Sequence, residues 1–370
     1  MSGVTAITMP KWGLSMTEGK VVEWLVEEGR ELKPGDPVVD IETEKIANTF
    51  EALEPGLLRR IVAAADEVLP IGALLGVMAE ATVSDAEVDA FVAEFLASYV
   101  PPAPAEGDTG PAYEWVVAGS HRLRYSMLGE SGPAVILLHG FGGDLNNWLF
   151  NQEPLAAKGQ VYALDLPGHG QSSKQVADPT VAGLSAAVLA FMDALGIASA
   201  HLVGHSLGGA IALSAAINAP DRVNSLTLLA PAGLGEAING GYLRGFIAAE
   251  SRRDLKPLLQ QLVANPDLVN RQMIDDILKF KRLDGVTAAL SAIADGFCQG
   301  DTQTRVLRDA VGRLSCPVQV IWGERDAIIP AAQSAGLPAN VQVEIVPGVG
   351  HLVHLEAASL VNARLAKVLG

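Results

Sequence analysis

The chain has 370 residues, 49% hydrophobic and 18% charged, which excludes whole-chain disorder and predicts two or three domains with a sizeable core. A net charge of −16 argues against nucleic acid and anionic membrane as partners, and fits an ordinary acidic surface. Two cysteines, Cys298 and Cys316, cannot form a disulfide framework and have no ligand-spaced neighbours, so they read as buried apolar thiols in a reducing compartment.

The opening Met1-Ser2-Gly3-Val4 carries neither the basic region nor the apolar core of a secretory signal. No apolar run reaches the roughly 18 residues of a membrane-spanning helix, so a cytoplasmic protein is expected. Residues 1–80 contain an internal repeat. Gly19, Val21, Trp24 and Val26, then Leu32, Gly35 and Val38, recur in the same order and spacing as Gly56, Leu58, Ile61, Ala63, Leu69, Gly72 and Leu75. Each half alternates apolar and polar residues in short runs broken by Lys33-Pro34-Gly35-Asp36 or Pro70-Ile71-Gly72. The pattern predicts a small flattened β-barrel with approximate two-fold symmetry. Between the halves, alternation runs through Val39 and Ile41 and resumes at Ile46, so Lys45 falls at a tight turn, where a modifying enzyme can reach it.

Met9-Pro10-Lys11-Trp12-Gly13-Leu14-Ser15-Met16-Thr17-Glu18-Gly19, with Glu42-Thr43-Glu44-Lys45-Ile46, resembles the lipoyl domains of 2-oxo acid dehydrogenase complexes over about residues 4–80. The resemblance implies lipoate in amide linkage on Lys45, a group that carries acyl units as thioesters. Glu44 and Ile46 stand where that family has Asp and Ala, and no methionines flank Lys45 as in biotinyl domains. The plainer alternative is a solvated hairpin lysine that carries nothing.

Residues 81–112 read as a short helix and a linker. Ser84-Asp85-Ala86-Glu87 has the form of a capping box, and Val88, Phe91, Val92, Phe95 and Leu96 recur at helical spacing up to about Tyr99. The helix is expected to pack on a neighbouring domain; docking a partner subunit is the alternative. Pro101 to Pro111 is proline-rich and without apolar periodicity, and would span on the order of 30 Å.

From residue 113 to 370, apolar strand-like runs alternate with helical segments. Strands are predicted at Tyr113–Val117, Leu123–Met127, Ala134–Leu138, Val161–Asp165, Ala200–Val203, Val223–Leu229, Val318–Trp322 and Val341–Val346, with a helix over Gly183–Leu195. This alternation predicts a mostly parallel sheet with helices on both faces. Gly204-His205-Ser206-Leu207-Gly208 lies between a strand and a small-residue helix, the context in which G-x-S-x-G forms a nucleophile elbow. Residues 236–312 interrupt the sheet pattern with helical segments such as Leu255–Val263 and Arg271–Phe280.

His139-Gly140-Phe141-Gly142-Gly143, Asp165-Leu166-Pro167-Gly168-His169-Gly170, the elbow, Gly323-Glu324-Arg325-Asp326 and Gly348-Val349-Gly350-His351 follow in an order that resembles the α/β-hydrolase superfamily. The resemblance implies a Ser206, Asp326, His351 triad, with Asp326 and His351 each following a strand; no acid follows Val223–Leu229. A serine hydroxyl needs a base to take its proton, the base needs an acid to orient it, and the tetrahedral oxyanion needs two donors. The backbone N–H groups of Phe141 and Leu207 are the expected pair. His205 reads as packing locally, His139 and His169 as holding their loops, and His354 as structural. No metal-ligand spacing occurs, so no metal is expected. The resemblance makes 236–312 a cap over the serine. Its Arg252, Arg253, Lys256, Arg271, Lys279, Lys281 and Arg282 either meet an anionic acceptor such as coenzyme A or, for most of them, form a solvated face.

A swinging acyl carrier fused to a serine acyl-transfer site resembles the acetyltransferase (E2) components of bacterial acetoin dehydrogenases over essentially the whole chain. That resemblance implies transfer of acetyl from S-acetyldihydrolipoyl-lysine to coenzyme A, with a thiamine-diphosphate-dependent E1 and a dihydrolipoamide dehydrogenase E3 as partners. The H-x-x-x-D-G motif and the peripheral-subunit-binding domain of ordinary E2 chains are not found. Two other readings fit the same residues: a serine hydrolase or thioesterase in which water takes the acyl group, and a lipoyl carrier with a non-catalytic hydrolase domain.

Overall fold

The computed structural model describes residues 4–10, 16–33, 35–43, 47–52, 54–101 and 113–370. They fall into two units, Met1–Pro111 and Ala112–Gly370.

The first unit holds two four-stranded antiparallel sheets. One has the order Val4–Thr8, Leu74–Ala79, Gly56–Ile61, Glu31–Leu32; the other runs Ala47–Glu51, Pro37–Glu42, Glu18–Trp24, Val68–Pro70. The repeat explains the arrangement. Glu31–Leu32 of the first half pairs with Gly56–Ile61 of the second, and Val68–Pro70 of the second pairs with Glu18–Trp24 of the first. Each half therefore completes the other's sheet, and neither closes a core alone. Val21, Leu32, Val38, Val39 and Ile41 meet Leu58, Leu75 and Met78 in that shared core. Gly76 is required there, because a Cβ would lie 2.8 Å from the Arg60 carbonyl oxygen and 3.0 Å from the Trp24 ring.

The helix Asp85–Ser98 begins with the predicted capping box: Ser84 accepts from the Glu87 N–H, and the Glu87 carboxylate accepts from the Ser84 N–H. It packs on the first unit itself. Val88 is buried against Leu74, Val77 and Ala79. Arg59 pairs with Asp85 at 2.7 Å and Arg60 with Asp89 at 2.9 Å. The Tyr99 hydroxyl donates to the Ile71 carbonyl at 2.7 Å, closing the helix end onto the barrel. Nearly all of the proline-rich stretch, residues 102–112, lies outside the described residues.

The second unit is built on an eight-stranded sheet in the order Val341–Val346, Val318–Gly323, Val223–Leu229, Ala200–His205, Ala134–Leu138, Gln160–Leu164, His121–Leu128, Tyr113–Ala118. The first six strands are parallel, and His121–Leu128 pairs antiparallel with both of its neighbours. Val135 and Leu137 face a cluster that includes Trp148, Leu155, Val361 and Leu365, while Ile136 and Leu138, pointing to the opposite face, are also fully buried. Burial on both faces is why these strands read as continuous apolar runs. The strand order reverses between Ala134–Leu138 and Ala200–His205, which opens a crevice beyond their carboxyl ends.

Four helices, Gly240–Ala248, Arg252–Leu259, Arg271–Lys281 and Val286–Phe297, with a ribbon of Cys298–Gln299 and Thr302–Gln303, are inserted between Val223–Leu229 and Val318–Gly323. Gln303 clamps the base of this insertion, accepting from the Gly233 N–H at 2.7 Å and donating to the Ala237 carbonyl at 3.2 Å. Several of its basic residues pair inside it, among them Lys279 with Asp276 at 3.1 Å and Arg271 with Asp275 at 3.9 Å. Arg252 forks onto Asp275 at 2.5 and 2.7 Å, and Lys281 donates to the carbonyls of Phe246 and Ile247. The two thiols are half-buried rather than buried, because Cys298 opens the exposed ribbon and Cys316 sits in the loop before Val318. No helix among the described residues is long and apolar enough to cross a membrane.

The capping box gives a direct test. Ser84→Ala should cost about 1 kcal/mol of helix stability. Amide exchange at Glu87 and Val88 should accelerate severalfold; unchanged protection would remove the cap from the account of this helix.

Candidate active site

Ser206 sits between the strand Ala200–His205 and the helix Leu207–Asn218 with φ 53° and ψ −118°, a left-handed backbone that a serine rarely adopts. Strain of this kind costs about 1–3 kcal/mol and persists only where surroundings impose it. Here the Ser206 N–H donates to the Leu229 carbonyl at 3.0 Å, and its own carbonyl accepts from Ala232 and Gly209, both at 2.9 Å. The flanking glycines let the turn sink between neighbours. A Cβ at Gly204 would lie 2.3 Å from the Gly208 carbonyl oxygen, and one at Gly208 would lie 2.2 Å from that of Leu138.

The loop after Ala134–Leu138 runs directly against the serine: a Cβ at Gly140 would be 3.1 Å from the Ser206 Cβ. The N–H groups of Phe141 and Leu207 have no acceptor in the hydrogen bonds of the described residues. Leu207 opens its helix, where the backbone donors and the helix dipole favour negative charge. The arrangement can hold an oxyanion.

Asp326 and His351 come from loops after Val318–Gly323 and Val341–Val346, and meet at 2.7 Å between Oδ2 and Nδ1. Both side chains are buried, the carboxylate completely. It is compensated by further donors: Ile328 and Ile329 N–H to Oδ1 at 2.8 and 2.9 Å, and Trp322 Nε1–H to Oδ2 at 2.9 Å. With Nδ1–H committed to Asp326, the imidazole keeps Nε2 as its basic nitrogen. The histidine loop is also held from the inserted helices, since the N–H groups of His351 and Leu352 both donate to the Leu262 carbonyl. Glu356 ties the same two segments, accepting from Ala264 N–H at 2.7 Å and Gly350 N–H at 2.9 Å. Burial pushes its carboxyl up to about 7, although those backbone donors pull the other way.

The remaining histidines divide as their motifs suggest. His139 donates from Nδ1 to the Gly140 carbonyl at 2.8 Å and accepts at Nε2 from Leu166 N–H at 3.1 Å, joining two loops. His169 packs edge-on against it at 5.0 Å. Asp165 is the buried hub of the second loop, accepting from Arg124 at 2.6 Å, Leu145 N–H at 2.9 Å and Gln171 N–H at 2.7 Å. His205 does more than pack: its Nε2 bonds the His351 carbonyl at 3.0 Å, with the rings 4.7 Å apart. His354 is fully buried between His205 and Trp148, at 4.5 and 4.7 Å, and neither ring nitrogen has a partner among the described residues. Burial, then the charge of His351, holds its imidazole down at about 3. The roles of Trp322 and Glu356 carry no motif and are visible only as contacts.

The inserted helices bring two aromatic rings against Phe141. Phe246 and Phe297 each lie 6.0 Å from the Phe141 ring. Among the described residues no three His, Cys, Asp or Glu side chains are grouped to hold a metal ion. In the first unit, Pro37–Glu42 and Ala47–Glu51 pair antiparallel with Glu42 opposite Ala47. Lys45, in the connection between them, lies outside the described residues, as do Glu44 and Ile46.

His354 gives a signed pH dependence. Its pKa is near 6.5 in the unfolded chain and about 3 when folded, so between those values the unfolded state binds more protons and stability falls as pH falls. His354→Phe should relieve about 2 kcal/mol of the stability lost between pH 7 and pH 5. Denaturant unfolding of wild type and variant at the two pH values measures the difference; equal losses in both would show that His354 titrates normally.

Comparison with known proteins agrees with both halves of the fold. Residues 133–358 match the family described as the alpha/beta hydrolase fold, and residues 5–78 match the one described as biotin-requiring enzyme. A 2-hydroxy-6-oxo-6-phenylhexa-2,4-dienoate hydrolase from a Rhodococcus species superposes with a TM-score of 0.64 at 22% identity, over 70% of this chain and 98% of its own, and shares the fold. The chain is 51% identical over 370 residues to the dihydrolipoyllysine-residue acetyltransferase component of the acetoin cleaving system of Pseudomonas putida, covering 100% of this chain and 99% of that one. The same-named component of Cupriavidus necator is 48% identical over 369 residues, covering 99% and 98%. The similarity thus runs along the full length of both chains, and the chain belongs to the family of dihydrolipoyllysine-residue acetyltransferase components of acetoin cleaving systems.

Proposed function

We propose that the chain moves an acetyl group from a dihydrolipoyl arm on Lys45 to coenzyme A, through Ser206, His351 and Asp326. The observation that carries this reading is the buried His351–Asp326 pair, whose histidine carbonyl bonds His205, the residue before a strained Ser206, in a chain similar along its whole length to acetyltransferase components. In this reading residues 1–80 are the carrier, 81–112 the helix and linker, and 113–370 the transfer domain, capped by 236–312. The relatives' name, a component of a cleaving system, supports partners that load and reoxidise the arm, a thiamine-diphosphate-dependent E1 and a dihydrolipoamide dehydrogenase E3, in the cytoplasm.

A lipoyl group in amide linkage on Lys45 supplies a dithiol that holds acetyl as a thioester. His351 Nε2 takes the proton of the Ser206 hydroxyl as Oγ bonds to the thioester carbonyl carbon. The N–H groups of Phe141 and Leu207 hold the oxyanion. As the C–S bond breaks, His351 returns its proton to the departing sulfur, leaving acetyl on Ser206. The thiol of coenzyme A then gives its proton to His351 and attacks the ester, and the proton passes back to Oγ as the C–O bond breaks. Asp326 keeps the Nδ1–H tautomer and stabilises the imidazolium at both stages. The aromatic cover of Phe246 and Phe297 over Phe141 favours thiol over water as acceptor by limiting water at the ester.

With acetyl-dihydrolipoamide and coenzyme A, Ser206→Ala should lower acetyl-CoA formation by at least about 10³-fold and Asp326→Asn by about 10³- to 10⁴-fold. Wild-type rates in Ser206→Ala would sink the mechanism, and acetate released regardless of coenzyme A would make the enzyme a hydrolase. Intact-mass and peptide mass spectrometry of protein from its native host should find lipoate on Lys45 and none in Lys45→Arg; lysine unmodified throughout removes the carrier role.

A further inference from the structure

His205 stands next to the nucleophile in the chain, but its ring reaches the base. The strand Ala200–His205 ends at Ser206, whereas the loop of His351 leaves Val341–Val346, three places away in the sheet. Two strands, Val223–Leu229 and Val318–Gly323, lie between them, so no strand pairing sets their separation directly. His351 is held at three atoms: its N–H by the Leu262 carbonyl at 2.9 Å, its Nδ1 by Asp326 at 2.7 Å, and its carbonyl by the His205 Nε2 at 3.0 Å. Of these three, only the last starts on the strand that carries the serine.

His205 is 4% exposed. A carbonyl oxygen only accepts, so Nε2 carries the ring proton. Burial, then the nearby His354 and His351, hold the imidazole well below its usual range, and the ring stays neutral in this one tautomer. At Nδ1 the ring meets the oxyanion loop: a Cβ at Gly140 would lie 2.8 Å from His205 Nδ1 and 3.2 Å from Cε1. The His351 ring lies 4.7 Å away and the His354 ring 4.5 Å away, so the imidazole is hemmed in by packed neighbours. One side chain thus touches the loop of the base and the loop of the expected donor Phe141, and its backbone leads into the nucleophile.

We propose that His205 is a positioning residue, a strut whose Nε2–H bond to the His351 carbonyl fixes the base relative to Ser206 while its ring seats Gly140. The assignment rests on the acetyl-transfer reading for its substrates and on the Ser206–His351 pairing for its geometry. Reacting groups tolerate little misplacement, an error of about 1 Å costing on the order of 10²-fold in rate. A single bond from the residue beside the nucleophile to the backbone of the base limits that error. His205 touches no reacting atom in this scheme, so its loss falls on kcat and not on substrate affinity.

The test uses the full-length lipoylated chain, acetyl-dihydrolipoamide and coenzyme A, with two variants of similar size. His205→Gln places an amide N–H near the site of Nε2, and His205→Met has no donor. His205→Met should lower kcat for acetyl-CoA formation about ten- to a hundredfold with each KM within about twofold, and His205→Gln should recover kcat to within about threefold of wild type. A fluorophosphonate, which bonds phosphorus to the Ser206 Oγ and expels fluoride, reads the same alignment without acetyl transfer. Its labelling rate should fall in His205→Met and return in His205→Gln by the same factors. If His205→Met does not fold, His205→Asn, whose amide is one methylene short of the carbonyl, takes its place with the same expectation. Wild-type kcat in the donorless variant overturns the proposal, as does an equal loss in His205→Gln, which assigns the ring to packing. A wild type labelled at Ser206 that makes no acetyl-CoA overturns the transfer reading alone, and the labelling rates then decide the strut. A wild type that neither transfers nor labels overturns both.

Discussion

The left-handed backbone at Ser206 is the constraint around which the second unit is arranged. A serine at φ 53° is stable only if the chain on either side has no freedom to relax, and two adjacent parallel strands supply that rigidity. Gly204 is registered opposite Leu138 on one side, and His205 opposite Leu229 on the other. The turn is thus clamped at the place where the strand order reverses. The same reversal sends the His139–Gly143 loop past the serine, so the donors proposed for the oxyanion and the nucleophile share one origin in the topology. Replacing either elbow glycine would force a Cβ into a carbonyl oxygen and push the helix off the sheet.

Electrostatics around the histidine follow from burial. Asp326 is removed from water but surrounded by N–H donors, two of them backbone, so its charge is compensated without a neighbouring cation. Behind His351, the rings of His205, His354 and Trp148 form a continuous chain of tilted, buried neutral groups. Burial lowers the basicity of His205 and His354 far enough that His351 faces no second positive charge. A cluster of imidazoles, which in a wetter setting would compete for protons, here serves as packing for one of them.

The inserted helices are coupled to this apparatus by backbone bonds. The Leu262 carbonyl receives both His351 and Leu352, Glu356 reaches Ala264 and Gly350, and Asn239 holds the loop of Asp326. Any opening of the cover at these points disturbs the loops that carry the histidine and its acid. The insertion and the loops of His351 and Asp326 are thus joined at three points.

Much of this is legible in the amino-acid order. The repeat, the capping box at Ser84, the apolar strands and the ordered motifs predict both architectures, because strand alternation, helix caps and tight glycine turns are local properties written in local residues. Asp326 and His351 are identifiable from motif order, as the elements that carry them recur in chain sequence. What local pattern does not contain are contacts between segments distant along the chain: the exchange of Glu31–Leu32 and Val68–Pro70 between the two halves of the barrel, the stacking of His354 under His205, the indole of Trp322 on Asp326, and the fixing of the histidine loop by Leu262 and Glu356. Cys298 and Cys316 show the same limit, since thiols expected in apolar surroundings lie half-exposed at a ribbon and a loop. The sequence by itself determined the elements and the reactive groups, through periodicity and backbone preference. Only the tertiary structure decided which buried polar atoms found partners and which, like the ring nitrogens of His354, found none among the described residues, because hydrogen-bond satisfaction depends on distance in space and not along the chain.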